Sequence, residues 1–455
     1  MGATPITWNN HNRIIFFKDD LSKVIGRHTL KLGLFAQRNR KNQDNQPAIN
    51  GSFTFSPGHP LHSGNPLADA LLGNFNSYTE ADGGREGWFR FTRVEWYVTD
   101  NWRVNNRLSL DLGVRFNYMP QQYSPLQNTV FFSPQYFDRA RAPQIDRGSG
   151  QIVTATGDLV NGLLVGGSQY PDALRERVAG LDDPLFQRLL RGVPIEISPT
   201  YWPIGPRFGF AYDLTGRQKT VLRGGYGLVF ERVQGNFIFS QINNPPFVRQ
   251  ATVFTANIEN PSGGSQRTFP ASLTSFDQNV KIPAVNNFSL GIQHKLGSDM
   301  TFDVAYVGSS GWNLYRGVNL NQLRVGTLQA NPGVNTNALR PYLGYADITQ
   351  YVTGSNSNYN SLQVQGRKQL RSGGLVNVAY TWSKSITDAS SWNEQPMYSY
   401  DYKLERGSPP STAITSSCSA TCTRFRSGRD RTPGTKSPLA AGNSPASPHC
   451  GADRP

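Results

Sequence analysis

The chain has 455 residues, 37% of them hydrophobic, 11% aromatic and 17% charged, which is enough apolar material for two or three domains or one large barrel and excludes a disordered chain. Gly 45 and Pro 30 disfavour a helical bundle, and a mean hydropathy of −0.47 with no long apolar run excludes a membrane-spanning helix. A net charge of +14 would attract phosphates, but the basic residues are scattered singly and form no recognition patch, so no nucleic-acid partner is expected.

In chain order, the first alternating segment is Leu30 to Ala36, entered through a tight turn at Gly26-Arg27. The clearest segment is Arg107 to Tyr118, where Leu108, Leu110, Leu112, Val114, Phe116 and Tyr118 alternate with Ser109, Asp111, Gly113, Arg115 and Asn117. Period two over that length is a strand with one apolar and one polar face. The same pattern holds at Phe208 to Leu214, Leu222 to Phe230, Phe288 to Leu296, Phe302 to Tyr306, Leu362 to Val364 and Val376 to Trp382. Tight polar turns at Gly26-Arg27, Asn105-Asn106, Thr215 to Gln218, Gly297 to Asp299 and Arg371 to Gly374 join the runs into five hairpins, about ten strands.

The connections between hairpins are far longer than the ~12 to 15 residues that compact domains tolerate. In an up-and-down sheet every second connection lies at one end, so short turns would occupy one rim and long loops the other. That is the asymmetry of an outer-membrane barrel, whose strands turn apolar residues to lipid and polar residues to an aqueous lumen. The expected fold is therefore all-β, a partial antiparallel transmembrane β-barrel in the cell outer membrane, with membrane lipid as its first partner. Trp88, Trp96, Tyr97, Trp102, Tyr118, Tyr226, Tyr306, Trp312, Tyr380 and Trp382 fall near strand ends and are expected at the membrane interfaces. A soluble sandwich with an aromatic core is the competing arrangement.

Within the long connections, Pro66 to Gly73 reads as a short helix ended by glycine, and Asp172 to Leu190 has helical spacing with a restart at Asp182-Asp183-Pro184. Asn243 to Pro246, Asn260 to Gln266 and Gly354 to Asn360 read as exposed loops. From about Gly407 the composition shifts to Pro, Ser and Arg, with all three cysteines, and no alternating run continues beyond Tyr402. Residues 1–406 are thus expected to form the barrel, and residues 407–455 a disordered or frameshifted tail.

The chemistry-bearing residues are few. Gly224 to Gly227 is glycine-rich but lies within a strand, which points to close packing or a bend and not to a phosphate loop. His59 and His62 are read as a pair of loop histidines, without a third ligand counted beside them. Cys418, Cys422, His449 and Cys450 sit in sequence too polar to fold around a metal. Glu80, Asp82 and Glu86 are read as solvated loop carboxylates. Lys31, Arg115, Arg207, Arg223 and Arg367 fall on the polar strand face with Asp111, Asp213, Asp303 and Glu231, either to steer an anionic ligand or to balance charge. No catalytic, metal or cofactor residue is assigned, ligand-binding residues are left open, and an enzyme is not expected.

Thr99-Asp100-Asn101-Trp102-Arg103-Val104-Asn105-Asn106-Arg107-Leu108, continuing to Gly113-Val114-Arg115-Phe116, resembles a barrel hairpin of TonB-dependent outer-membrane receptors. Gly26 to Gly33, Gly205 to Asp213, Leu222 to Gly227, Tyr359 to Gln363 and Tyr380 to Ser385 are similar to other parts of that barrel, over most of residues 10–405. The resemblance is strongest to the subgroup carrying a carboxypeptidase-regulatory-like domain ahead of the plug. It implies a fragment of a gated receptor that takes up a scarce, unidentified solute, with the TonB complex as partner of the full-length parent. No export signal, plug, TonB-contacting segment or terminal aromatic strand is legible, and about ten strands are seen where the family closes with twenty-two. A structural or adhesive surface barrel, or an inert fragment, is the alternative.

Overall fold

The computed structural model describes residues 9–45, 49–82, 85–266, 269–370, 374–408 and 417–424. Its strands run in chain order β1 (Asn10–Ile25), β2 (His28–Asn45), β3 (Ser52–Thr54), β4 (Asn74–Ala81), β5 (Arg85–Arg103), β6 (Leu108–Tyr118), β7 (Val130–Phe132), β8 (Leu163–Val165) and β9 (Ile204–Asp213). They continue with β10 (Thr220–Phe230), β11 (Gln250–Asn257), β12 (Ser265–Gln266), β13 (Ala271–Phe276), β14 (Ala284–Leu296), β15 (Met300–Asn319), β16 (Tyr345–Gln369), β17 (Gly374–Thr387) and β18 (Ser417–Arg424).

One large sheet dominates, in the order β1-β2-β5-β6-β9-β10-β14-β15-β16-β17-β18, every neighbouring pair antiparallel. It is the up-and-down meander that the five hairpins predict. Among the described residues β1 and β18 do not pair with each other, so the sheet is an open arc of a barrel.

Register explains why alternation survives so long. Leu110, Phe210, Gly224, Leu290, Tyr306, Leu362 and Trp382 stand opposite one another across seven successive strands. The next row holds Leu108, Tyr212, Leu222, Ile292, Val304, Val364 and Tyr380. A one-residue slip would turn every one of these to the other face, so the pattern pins the pairing. Among the described residues no second sheet covers these rows: Leu290 is 52% exposed, Trp382 61% and Tyr306 46%. In water so large an uncovered apolar face would aggregate, whereas in a bilayer it is the face that meets acyl chains. The sandwich arrangement, which needs that face covered, does not occur. Gly224 makes the close approach expected of its glycine run, because a Cβ there would collide with the Phe210 ring on the neighbouring strand.

The short turns hold themselves together with local side chains. Gly26 takes φ 56°, a conformation glycine adopts without Cβ strain. Asn105 Oδ1 accepts from the Arg107 and Leu108 amides at 2.8 and 2.9 Å. Asp213 accepts from the Thr215, Gly216 and Gln218 amides, so its carboxylate closes a turn and does not balance charge along the inner face as the sequence pattern implied.

The opposite rim carries the molecule's buried core. β15 and β16 run 20 and 25 residues, far beyond the ~10 that cross a membrane, and the upper end of β16 also pairs with a parallel strand, β13. The alternation of the sequence ends at Tyr306 and resumes at Leu362 because the strands between those points leave the lipid zone and are packed on both sides. Phe132, Leu163, Val165, Leu189, Phe247, Tyr345 and Ile348 form one buried cluster, and Phe89, Phe131, Phe237, Ile242 and Phe276 a second beside it. These loops are therefore a folded cap and not ornaments.

Several exposed-loop expectations fail for that reason. Gly354 to Asn360 lies inside β16, and Asn244 of the Asn243 to Pro246 stretch is buried, donating to the Val130 and Thr274 carbonyls at 2.7 and 2.6 Å. Of the two helical expectations the first holds, and the second holds only as two four-residue helices, Asp172–Arg175 and Pro184–Gln187, separated by turns. Helix α1 (Pro66–Leu72) is capped by Asn65 and ended by Gly73, and Asp183 restarts the second segment by accepting from the Leu185 amide. Trp88 is drawn into the cap, between the Arg90 and Arg177 guanidiniums, instead of an interface belt. Of the expected tail, 409–416 and 425–455 lie outside the described residues, but Ser417–Arg424 adds a strand to β17 that the composition did not announce.

The two faces make opposite demands. Val304→Arg, on the outward row, is expected to lower stability by about 2–4 kcal/mol, while Gln365→Arg on the other face of the neighbouring strand has little effect; urea titration of protein folded in lipid vesicles separates the two. Phe132→Ala is expected to cost about 3–5 kcal/mol within the cap alone, read as faster proteolysis between residues 118 and 204 with the heat-modifiable barrel band unchanged.

Candidate functional site

The inner face is built from the residues that alternate with the lipid rows. Lys31, Thr99, Gly113, Arg207 and Gly227 stand in one register row across five neighbouring strands. Beside this row Thr29, Lys31, Thr99, Asn101, Asp111, Arg207, Phe208 and Gly209 line a depression of about 240 Å³. Two cations and one carboxylate on a concave polar wall form a site that attracts anions.

Nearer the loop rim, the carboxylates pair directly with cations. Glu95 on β5 is buried and takes ion pairs from Arg93 beside it and from Arg115 on β6 at 2.8 Å. Arg115 also lies 5.3 Å over the Tyr97 ring, whose hydroxyl donates to Asp20 at 2.6 Å, and Lys18 pairs with the same carboxylate. Tyr97 thus belongs to the inner network and not to an interface belt, one residue out of phase with Trp96, which stacks on Phe116 at 5.7 Å on the outward face. Glu95, Arg93, Lys18 and Asp20 were not singled out by sequence; their position one residue off the apolar row was the signal.

Arg223 stands opposite Ala211 and Gly291, and Arg367 opposite Thr301 and Asn377, both toward the short-turn rim. Asp303 faces Gln293 and Gln365 in register. Glu231 is not on the strand face, because β10 ends at Phe230. It lines instead a cleft of about 470 Å³ at the loop rim with Arg232, Gln234, Phe237, Tyr315 and Trp392. Arg232 lies 3.5 Å over the Phe91 ring, and burial pulls its guanidinium down to about 10. Its Nη1 and the Tyr315 hydroxyl are buried without a hydrogen-bond partner, so the cleft offers two unmet donors beside aromatic walls. That combination suits a solute carrying an anionic or carbonyl oxygen on a flat apolar body.

Glu80, Asp82 and Glu86 do not form an acid-base group. Glu80 accepts from Tyr78, Asp82 pairs with Arg249, and Glu86 lies 4.0 Å from Arg177. Cys418 and Cys422 stand on β18 opposite Tyr380 and Val376, while His449 and Cys450 lie outside the described residues. His59 and His62, by contrast, are brought together with a carboxylate that the sequence reading did not count. Asp69, seven residues after His62, is buried and bonds the His62 Nδ1, and the Ser63 amide donates to its Oδ1 at 2.7 Å. Burial alone would push that carboxyl up, but the donors from Ser63 and His62 hold it down at about 2.

A family described as outer membrane beta barrel domain matches residues 2–416. The chain belongs to that family. Its place is the cell outer membrane, where the uncovered apolar rows of the barrel domain meet lipid. No curated protein matches the chain. Among solved structures it is similar to the outer membrane transporter YddB from Escherichia coli, at 13% identity and a TM-score of 0.43, over 84% of this chain and 35% of that one. The copper transporter OprC matches at 10% identity and a TM-score of 0.40, over 83% and 39%. The siderophore receptor PiuA from Acinetobacter baumannii matches at 10% and 0.37, again over 83% and 39%. The barrel domain thus spans little more than a third of the length of these proteins.

The Glu95 network generates a direct check. Glu95→Gln leaves Arg93 and Arg115 facing a neutral partner, and an expected loss of about 1–3 kcal/mol in the urea unfolding of the lipid-embedded barrel measures what the buried carboxylate contributes. Glu95→Asp, which keeps the charge, should recover part of it.

Proposed function

We propose that the chain is the barrel portion of a TonB-dependent receptor that takes up a scarce solute across the outer membrane, from the subgroup with a carboxypeptidase-regulatory-like domain ahead of its plug. The observation that carries this reading is the polarity of the barrel from rim to rim. The loop rim holds a folded cap with a cleft of unmet donors and aromatic walls, and the inner face below it is lined by Lys31, Arg115, Arg207 and their partners down toward the short turns. A solute captured at the cap therefore meets a continuous wetted, charged wall. Passage along that wall against a concentration difference requires coupling to an inner-membrane complex, which is the part a TonB-contacting segment would supply.

The sheet itself adds a requirement. Unpaired edges cannot face hydrocarbon, so β1 and β18 need strands to complete the barrel. In the receptor reading those strands belong to the same polypeptide family unit of twenty-two, and the solute follows the lumen. A surface protein that only adheres needs the cap but not the charged inner wall, which is why transport is the better account.

The coding DNA immediately upstream of Met1 tests it. In-frame sequence for a plug and a TonB-contacting segment is the expected outcome; an export signal leading straight into Met1, with neither part, would favour the adhesive barrel instead.

A further inference from the structure

We propose that His59, His62 and Asp69 form a binding site for a divalent transition cation of the zinc class, set in the loop cap apart from the charged inner face. The inference does not depend on the transport reading. All three residues lie in the segment between β3 and β4, which belongs to a small four-stranded sheet ordered β12-β11-β4-β3.

One ring nitrogen of each histidine and one carboxylate oxygen of Asp69 lie within 4.8 Å of one another. Two imidazoles and a carboxylate are the donor set of open zinc sites, where three protein ligands leave a fourth position for water or a solute. Ligand nitrogens and oxygens sit ~2.0–2.2 Å from zinc and so about 3.3–3.5 Å from one another, which means the cation would part the His62–Asp69 contact and hold His59 against both. Gly58 and Gly64, with φ of 96° and 97°, flank the histidines, and a Cβ added at either would meet open space.

The second, independent observation concerns His59. It is only 7% exposed, yet neither Nδ1 nor Nε2 has a hydrogen-bond partner. Buried polar atoms are almost always satisfied, and an imidazole that is buried with both nitrogens empty needs a reason. Its ring centroid lies 5.7 Å from that of His62, and one of its ring nitrogens lies within 4.8 Å of ligand atoms of both His62 and Asp69. His62 is prepared in a complementary way. Its Nδ1 is engaged by Asp69 Oδ2, and a cation shared by these two atoms would take the place of the proton between them. Asp69 in turn is oriented by the Ser63 amide, and each of its oxygens retains a further lone pair. Asn65, the cap of α1, and Gly73, which ends that helix, fix the carboxylate relative to the histidines. A bound cation would thus clamp the Pro57 to Asn65 segment onto α1 and present one open coordination position among the surface loops.

The test uses the full chain folded in detergent, with Cys418, Cys422 and Cys450 replaced by Ser so that thiols contribute nothing, and Zn2+ as the probe in calorimetry. One equivalent should bind, and His59→Gln, which has no hydrogen bond to lose, should weaken it at least tenfold while the heat-modifiable band is unchanged. His62→Gln should do the same. Asp69→Asn is less decisive because it also loosens the Ser63 contact, so Co2+ spectroscopy supplies the second readout: a visible absorption of low-coordinate cobalt in the parent chain that disappears in His59→Gln. The double substitution His28→Gln, His294→Gln should leave both signals intact. Absence of stoichiometric Zn2+ binding by the folded parent, or equal affinity in His59→Gln, overturns the proposal.

Discussion

In hydrocarbon a backbone amide has no partner except another strand, and an unpaired one costs several kcal/mol. Everything else in this molecule follows from meeting that condition with antiparallel hairpins. Strands that must pair on both sides form a sheet; a sheet immersed in lipid on one side and water on the other must alternate; and alternation in turn fixes register, because one step of slippage would put Leu290, Tyr306 and Trp382 into the lumen together. The same parity decides the function of neighbouring aromatics. Trp96 faces outward and stacks on Phe116, while Tyr97, one residue on, enters the inner network with Asp20 and Arg115.

The connections divide the molecule into two kinds of stability. At the short-turn rim the reversals at Asn105 and Asp213 are each closed by that residue's own side chain, and the energy is local. At the other rim the chain makes excursions long enough to build apolar clusters around Phe132 and Phe237, the conventional hydrophobic core that a lipid-facing barrel otherwise lacks. Asn244 shows how that cap is specified. Its side chain satisfies two carbonyls and one amide from different segments, so a buried polar residue selects one arrangement of loops that apolar contact alone would leave degenerate.

Charge inside the barrel follows a related logic. Glu95 is buried and pairs with two arginines, so the carboxylates of the inner wall near the cap are each engaged by a cation. Lower down, Lys31 and Arg207 line a hollow in which Asp111 is the one carboxylate.

The sequence by itself determined the barrel: the period-two runs, the five turns and the unequal connections specify hairpin pairing and the sorting of rims, because each depends on interactions between residues close in the chain or on a solvent boundary that acts on every strand alike. It also gave helix α1 and the Asp183 restart, whose capping is local. Tertiary structure alone decided the rest. Gly354 to Asn360 reads as a loop in isolation and becomes strand because β15 and β17 pair with it on both sides. Asn243 to Pro246 reads as exposed and is partly buried because β7 and β13 close over it. Asp69 is an ordinary helix residue until the fold turns it toward His62 and leaves His59 buried without a partner. Contacts between segments far apart in the chain, or between side chains whose directions depend on a loop's path, leave no periodic trace in the order of residues.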